Sequence, residues 1–433
     1  MKKLRKLTSV LNFTLISLFL LSNGFTQEKN ASNWYRGNIH MHSFWSDGNV
    51  YPEQAVDWYK DNGYHFVVLS DHTNLQLDPQ RWINVGTGHW IPLYEKYIEK
   101  YGPAETRETD GKQQIRLHTI HELKQKLDIP GKFLMIPGHE MNAGANGVTL
   151  HAIAVNVTET IPFRTGETLA ESIDKNALAV KKNGEDHGHS SIFMLNHPIW
   201  PYYDIDPLSM AQAKETRLYE FLCANGGPSE GWDESDRFWN YESLWDIVTA
   251  FRIVNGAPLI FGLGTDDTHD YTNFRDRGDN PGQSWVVVRA DKLEPDSIVH
   301  ALQQGDFYTS NGVEMEDIAF DRTTGTLSVK VKPVEGVKYV IRFIGTKKGF
   351  DRTVEPFEME KTEKNPARKG WSFSKDFGVE LKSVDGTEAS YRLKDDDLYV
   401  RAIISSDQPK DIHAGLTPDV GTAWTQPFSL LAR

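Results

Sequence analysis

Residues 38–48 read NIHMHSFWSDG, and this stretch begins the pattern that decides the fold. A strand is predicted over residues 36–42, and His40 and His42 lie two positions apart on it. Because side chains alternate along a strand, both imidazoles project to the same side and could grip one metal ion. Asp47 follows in a Ser-Asp-Gly turn that could fold its carboxylate back toward the same pocket. Taken alone, such a histidine pair is more often a pair of surface or hydrogen-bonded residues.

Further histidine and carboxylate residues follow the ends of other short apolar runs. They are Asp71 and His72 in LSDH, His139 and Glu140 in PGHE, His151, His197 in NHP, and Asp267 and His269 in GTDDTH. Each motif alone has an ordinary explanation, such as a turn or a helix cap. Their occurrence in order at the ends of successive strands favours one shared site, because barrel and open α/β folds place active sites at that edge.

Apolar runs alternate with amphipathic stretches between about residues 34 and 291, which predicts strands separated by helices and therefore an α/β fold. The predicted strands cover residues 36–42, 65–70, 133–137, 149–157, 191–195, 218–223, 259–262 and 284–289. Helices are expected over residues 52–62, 118–127 and 236–254. Residues 75–114 are aromatic and charged without a clean period, and are interpreted as an insertion. Alternating runs such as LSVKVKPV and KYVIRFIG predict a β-sandwich over residues 312–433.

The first residues have the pattern of a secretory leader. A basic start is followed by an apolar run from Leu11 to Leu21 and then by small residues at Gly24 and Thr26. This pattern predicts a signal peptide over residues 1–26, and a periplasmic or secreted protein. The run is too short to span a bilayer, which needs ~20 residues, so no integral membrane protein is expected.

The charge balance bears on the partners of the chain. The formal net charge is −13 at pH 7, from 47 basic and 60 acidic residues. A field of this sign repels phosphate backbones, so no nucleic-acid partner is expected. A local cationic or metal-filled pocket could still attract a small anion. The oligomeric state is not predicted, and Cys223, as the only cysteine, excludes an intramolecular disulfide.

In order and content, the motifs resemble the polymerase and histidinol phosphatase (PHP) superfamily of metal-dependent phosphoesterases, which have a distorted (β/α)7 barrel. The resemblance covers about residues 34–310, within a catalytic domain expected over residues 27–311. The leader, the insertion and the sandwich look most like the exported branch, which is similar to carbaryl-hydrolase-like metallohydrolases. The resemblance implies a first ion held by His40, His42, Glu140 and Asp267, a second by Glu140, His151 and His197, and a third by Asp47, His72 and His269.

The last motif departs from the family pattern Gly-Ser-Asp-x-His, because Asp266 and Asp267 both precede Thr268 and His269. Asp267 is the preferred ligand, since its spacing from His269 reproduces the family spacing. Asp266 is expected to point the other way and to make supporting hydrogen bonds. His139 is likewise expected to face away from its neighbour, the bridging glutamate.

Imidazole and carboxylate ligands without thiolate suit Zn, Mn or Fe, so two or three such divalent ions are expected. A hydroxide shared by two ions is the expected nucleophile, and a small phosphomonoester or phosphodiester is the expected substrate. Asp71, His72 and Glu140 are the predicted catalytic residues, and Asp71 could instead hold a ligand imidazole.

Two alternative functions stay open. The same cluster could hydrolyse a carboxyl ester, carbamate or amide, or the chain could be a non-catalytic exported binding protein.

Acid should release the metal ions from this site. Six of the nine predicted ligands are histidines, and each must be neutral to bind metal, whereas the ordinary histidine pKa is near 6.5. We expect metal and activity to be lost below about pH 5 to 6. Elemental analysis of protein desalted at graded pH measures the loss, and full metal content at about pH 4.5 would contradict the ligand assignment.

Overall fold

The computed structural model describes residues 33–85, 90–198, 205–223, 241–274, 279–360, 368–410 and 420–432. The predicted signal peptide lies outside these residues. The helices in this part of the chain are α1 (Pro52–Asp61), α2 (Trp90–Tyr101), α3 (Ile120–Leu127), α4 (Leu169–His187), α5 (Pro207–Gln212), α6 (Tyr241–Val254) and α7 (Pro295–Gln304). Among the described residues, no helix has the length and apolar character that a membrane crossing requires.

The strands fall into two regions of the chain. Those before residue 312 are β1 (Asn33–Asn38), β2 (Phe66–Leu69), β3 (Trp82–Asn84), β4 (Thr106–Thr109), β5 (Lys112–Arg116), β6 (Leu134–Ala145), β7 (Val148–Val155), β8 (Ile192–Leu195), β9 (Leu218–Cys223), β10 (Phe261–Thr265), β11 (Trp285–Ala290) and β12 (Phe307–Ser310). The later ones are β13 (Met315–Asp321), β14 (Thr326–Val331), β15 (Tyr339–Gly345), β16 (Val354–Met359), β17 (Arg368–Phe373), β18 (Val379–Asp385), β19 (Glu388–Arg392), β20 (Arg401–Pro409) and β21 (Val420–Thr425).

One large sheet dominates the described part of the chain. Its 13 strands run in the order β10-β9-β8-β7-β6-β2-β1-β11-β12-β21-β20-β15-β18. Strands β1, β2 and β6 pair in parallel, as do β8, β9 and β10, whereas the remaining neighbours are antiparallel. The α/β class is therefore confirmed. The (β/α)7 barrel, the C-terminal sandwich and the boundary at residues 311 and 312 stay predictions.

The sheet bends so that β10, at one end of the strand order, approaches β12 in its middle. The Gly264 backbone N on β10 donates to Thr309 Oγ1 on β12 at 2.9 Å. A Cβ at Gly264 would lie 2.5 Å from Thr309 Cγ2, so this approach requires glycine. Past the end of β1, His42 N donates to Thr268 O at 2.9 Å. The segments that follow β1 and β10 are thereby held side by side.

The predicted strands are apolar because the sheet is covered on both faces. All four residues of β2 are fully buried. Val67 belongs to a core cluster with Val56 of α1 and Leu123 of α3, whereas Val68 packs in a second cluster with Ile136 of β6. Strands buried on both faces lack polar alternation, as the sequence pattern indicated.

The sequence predicted the strands better than the helices. Thr119 is the N-cap of α3 as predicted: its Oγ1 accepts from Glu122 N at 3.4 Å, and the Glu122 carboxylate accepts from Thr119 N at 2.7 Å. Helix α4, the longest in the described part, was not predicted. The described residues of the interpreted insertion form α2, β3 and β4, and β5 overlaps its end.

A buried ion pair joins α6 to β20. Asp246 accepts from Arg401 Nε at 2.8 Å and from Arg401 Nη2 at 2.7 Å, and also from the Tyr399 hydroxyl at 2.6 Å. The Arg401 side chain is only 1% exposed. Because both charges are removed from water, each depends on the other for compensation.

We expect Asp246→Ala to lower the free energy of unfolding by about 3 kcal/mol, because it leaves the buried guanidinium with only Glu242, whose Oε2 lies 3.7 Å from Arg401 Nη2. The double variant Asp246→Leu, Arg401→Met should recover most of the loss, since it removes both charges and fills the space. Urea unfolding followed by circular dichroism measures both. A loss below about 1 kcal/mol in the single variant would show that water compensates the guanidinium.

Candidate metal centre

The nine predicted ligand residues lie together at one edge of the large sheet. Their potential ligand atoms form overlapping sets, and within each set the atoms lie within 4.8 Å of one another. Four sets contain all nine residues: His40, His42 and Asp267; His40, Glu140 and His197; His72, Glu140 and His151; and His42, Asp47, His72 and His269. The sequence therefore identified residues that the fold brings into one cluster.

Two imidazoles and one carboxylate form the first set. Nε2 of His40 and Nε2 of His42 each lie 3.0 Å from Oδ1 of Asp267, and both histidines are fully buried. The predicted same-side geometry is confirmed, although β1 itself ends at Asn38, earlier than expected. Two ligands ~2.1 Å from an ion at a tetrahedral angle lie ~3.4 Å apart, so this set fits a divalent ion with small movements.

Glu140 lies between the imidazoles, with both carboxylate oxygens engaged. Its Oε1 lies 3.0 Å from His151 Nδ1, 3.6 Å from His40 Nε2 and 3.7 Å from His197 Nε2; its Oε2 lies 2.6 Å from His72 Nδ1 and 3.6 Å from His42 Nε2. A carboxylate that has imidazoles beside both of its oxygens could bridge two cations. The side chain is fully buried.

Asp47 closes the cluster on the solvent side. Its Oδ1 lies 3.4 Å from His269 Nε2, and its Oδ2 lies 3.4 Å from His72 Nε2. The turn that carries it requires Gly48, because a Cβ there would lie 2.5 Å from the carbonyl carbon of His42. The Asp47 side chain is 56% exposed, whereas that of His42 is 0% exposed. The cluster therefore opens to solvent at this turn.

Hydrogen bonds to the rear nitrogens orient two of the imidazoles. His40 Nδ1 lies 2.8 Å from Glu220 Oε1, and His269 Nδ1 lies 2.8 Å from the backbone carbonyl of Asp267. Because these acceptors receive a hydrogen bond from Nδ1–H, the Nε2 atom of each ring is directed into the cluster. Glu220 Oε2 also accepts from His197 N at 2.8 Å, so one carboxylate positions two of the predicted ligands.

The sequence analysis missed Glu220 and Cys223, which form a further set with His40. Glu220 is a charged residue inside the buried run LYEFLC, and an acid in such a run signals a polar partner in the fold. Cys223 ends the same strand, and its Sγ lies 3.9 Å from Asp267 Oδ2. The predicted ligand set contained no sulfur, whereas the structure places one thiol beside it.

Asp71, predicted as a catalytic residue, lies behind the ligands. Its carboxylate accepts from Ser43 N at 2.8 Å, from Ser46 Oγ at 2.8 Å and from Gln76 Nε2 at 3.1 Å. The Ser46 hydroxyl lies 3.3 Å from His42 Nδ1. These contacts fix the loop that carries His42, which corresponds to the alternative role of holding a ligand imidazole. A catalytic role for Asp71 stays a prediction.

Two neighbours of predicted ligands face away from the cluster, as expected. Asp266 accepts from the Asn38 amide at 2.7 Å, from the Tyr59 hydroxyl at 2.9 Å and from backbone N–H groups of residues 282–284. Burial raises the pKa of Asp266 to about 6. His139 Nε2 accepts from Ile161 N at 2.9 Å. Both side chains have structural partners of their own.

The backbone is strained at two predicted ligands. Asp267 has a φ of 50° and His197 a φ of 23°, in the left-handed region that non-glycine residues rarely adopt. Such conformations cost ~1 to 3 kcal/mol each and concentrate at functional sites. At Asp267 the turned backbone also lets its carbonyl reach His269 Nδ1.

The neighbouring carboxylates favour the protonated form of three of the histidines. Burial alone would lower these pKa values, yet the neighbouring carboxylates raise the pKa of His40 well above its ordinary range, that of His72 to about 11 and that of His269 to about 9. The pKa values of Glu140 and Asp267 lie well below the ordinary range although burial opposes this, chiefly because His40 is close to both. The pocket thus attracts several positive charges.

His42 differs from these histidines. Burial, assisted by the neighbouring His269, lowers the pKa of His42 to about 3, so its ring is neutral at ordinary pH. A neutral imidazole is the form that binds a metal ion. The potential ligand atoms are imidazole nitrogens grouped around carboxylate oxygens. This set of donor atoms fits divalent cations.

Comparisons with known proteins place the chain beside three solved structures. A two-domain protein from Bacteroides vulgatus that contains a predicted PHP-like metal-dependent phosphoesterase is 15% identical, with 92% of this chain and 96% of that chain covered and a TM-score of 0.38. A candidate metal-dependent phosphoesterase from Bifidobacterium adolescentis is 13% identical (57% and 91% covered, TM-score 0.30). An amidohydrolase from Chromobacterium violaceum with bound sulfate and no metal is 12% identical (54% and 87% covered, TM-score 0.26).

No protein-family model and no curated protein matches the chain. The interpretation of the site therefore rests on its own residues.

We expect Glu220→Gln to weaken metal binding about 10-fold to 100-fold, because it removes the charged acceptor behind His40 and beside His197. Titration calorimetry with Zn or Mn on metal-stripped protein measures the affinity. Glu215→Gln makes the same charge change at an exposed position and should leave the affinity unchanged. Equal affinities of the two variants would exclude the positioning role of Glu220.

Proposed function

We propose that this protein is a metal-dependent hydrolase of the PHP superfamily that cleaves a small phosphomonoester or phosphodiester. The observation that carries the proposal is the convergence of His40 Nε2 and His42 Nε2 on Asp267 Oδ1 at 3.0 Å each, with the buried Glu140 beside them. A fold that buries this many titratable groups in one place needs counter-charges, and divalent cations supply them.

The residues would divide among two or three ions as the overlapping sets suggest. His40, His42 and Asp267 would hold the deepest ion, Glu140 with its histidines the next, and the exposed Asp47 turn the outermost. When bound, such ions act as Lewis acids and lower the pKa of water from 15.7 to ~7, which supplies the nucleophile at neutral pH.

The protein's own residues prepare the site for an incoming ester. The exposed turn of Asp47 leaves an approach from solvent, whereas the buried His40 and His42 keep the floor of the site dry. Glu220 keeps the His40 proton on Nδ1, and the Asp267 carbonyl keeps that of His269 on Nδ1. Catalytic groups are therefore oriented before substrate arrives, which lowers the cost of organising the transition state.

Charge balance favours a phosphoester over a neutral carboxyl ester. Ionised Asp47, Glu140, Asp267 and Glu220 would together carry −4, so three divalent ions would leave the site at +2, whereas two would leave it neutral. A positive site of this kind binds a phosphate dianion and stabilises charge on its equatorial oxygens. A neutral carboxyl ester, carbamate or amide gains less from that charge.

The proposal extends to the surroundings of the enzyme. The leader pattern of residues 1–26 supports export to the periplasm or beyond, where a small phosphoester would be the partner. The strands after residue 312 would then form a sandwich that continues the large sheet through the β12–β21 pairing, and its described residues supply none of the metal-ligand sets.

The purified protein should hydrolyse para-nitrophenyl phosphate or its bis-ester when Mn or Zn is added, and it should hydrolyse para-nitrophenyl acetate and carbamates far more slowly. His42→Ala and Glu140→Ala should lower this activity about 10-fold to 100-fold or more, because each removes a group around which the ions would bind. His121→Ala, on the exposed face of α3, is the matched control and should retain full activity.

Two other experimental outcomes would change the proposal in different ways. Metal-dependent cleavage of acetate or carbamate without phosphoester cleavage would replace the substrate class and keep the metal centre. Absence of stoichiometric metal in the wild-type protein, together with equal behaviour of His42→Ala and His121→Ala, would reject the hydrolase.

A further inference from the structure

Two cationic side chains face one indole ring away from the metal centre. The Arg36 guanidinium carbon lies 3.7 Å from the centroid of a Trp285 ring, and the Lys410 ammonium nitrogen lies 4.9 Å from it. The Arg36 side chain donates to the Tyr64 hydroxyl at 3.1 Å. Within the described residues, neither cation is paired with a carboxylate, although acidic residues outnumber basic ones in this chain by 60 to 47.

In this arrangement one hydrogen-bond donor of Arg36 has no acceptor among the described residues. Arg36 Nε is buried and has no hydrogen-bond partner within the described part of the chain. A buried donor without a partner costs ~1 to 3 kcal/mol. Burial and the nearby Arg36 lower the pKa of Lys410, whereas the charge of Asp266 opposes this shift. An anion bound beside both cations would offset their mutual repulsion.

A cavity of about 480 Å³ lies directly over these cations. This volume falls within the ~300 to 1,000 Å³ that small-molecule sites occupy. Its walls include Val313, Val337 and Tyr339, which offer apolar surface. At its rim Glu314 and Lys332 pair with each other at 2.8 Å, so this pair adds no net charge to the cavity.

We propose that this cavity binds a small organic anion, with its carboxylate or phosphate group beside Arg36 and Lys410 and its apolar part against the valine and tyrosine wall. Charge-assisted hydrogen bonds from a guanidinium to such oxygens are among the strongest in proteins. Both cations lie close to the indole of Trp285, which also lines the cavity.

The site is separate from the metal centre. None of the residues that line the cavity belongs to the metal-ligand sets. It lies instead where β1 and β11 meet the ends of β14, β20 and β21. The proposal therefore does not rest on the proposed hydrolase activity, and either can fail alone.

Fluorine NMR titration of the full, metal-loaded protein tests the proposal. The probes are para-fluorobenzoate and para-fluorophenylphosphonate, which distinguish a carboxylate from a phosphate-like ligand and resist hydrolysis. Wild-type protein should bind at least one probe with a Kd below about 10 mM. Arg36→Gln with Lys410→Gln should weaken that binding about tenfold or more, whereas Lys181→Gln, an exposed lysine on α4, should not change it.

A second pair of variants tests the same site in case the Arg36, Lys410 double variant does not fold. Val334 is 62% exposed at the cavity wall, so charges can be added there without disturbing the core. Val334→Asp should weaken binding and Val334→Lys should strengthen it, each about two- to threefold at low salt. Unchanged affinity in the Arg36, Lys410 double variant, shifts of the same sign at Val334, or no binding by wild type overturns the proposal. Elemental analysis of every variant reports the metal centre separately.

Discussion

The structure depends on the burial of two carboxylates, Glu140 and Asp267, among imidazole rings. A charged oxygen without compensation cannot remain in a dry interior, so each of these side chains requires positive or hydrogen-bonding partners on every open side. The surrounding histidines, the strained backbone of Asp267 and the supporting Glu220 all follow from that requirement. The rest of the fold brings the segments that carry these groups to one place.

The sheet achieves this by changing its pairing along one strand. β6 pairs in parallel with β2 over its first residues and antiparallel with β7 over its later ones. Glu140 lies just beyond that change, where its backbone also bridges to His72. A side chain held from two directions has few ways to move. Its oxygens therefore stay at fixed distances from the surrounding nitrogens, as a site for preorganised chemistry requires.

Much of this centre could be predicted from the sequence, because ligand residues follow apolar strands and neighbouring strand ends meet in space. On that basis His40, His42 and Asp267 were predicted to lie together, and their ligand atoms do so in the structure. Glu220 was not, because a single acid inside LYEFLC has no spacing that distinguishes a buried partner from an exposed one. Helix α4 was missed because its polar residues interrupt the apolar period, and its bounds are set by Thr168 and by Gly188 at a φ of 75°. The pairing of Asp246 with Arg401 depends on tertiary contacts that local patterns do not encode.

The graded exposure of the cluster has an evolutionary consequence. Its buried half is tied into the sheet, so a substitution there disturbs folding and chemistry together. Its solvent side is formed in part by Asp47, whose side chain is 56% exposed. Selection can therefore remodel what the entrance admits, residue by residue, while the interior scaffold is inherited unchanged.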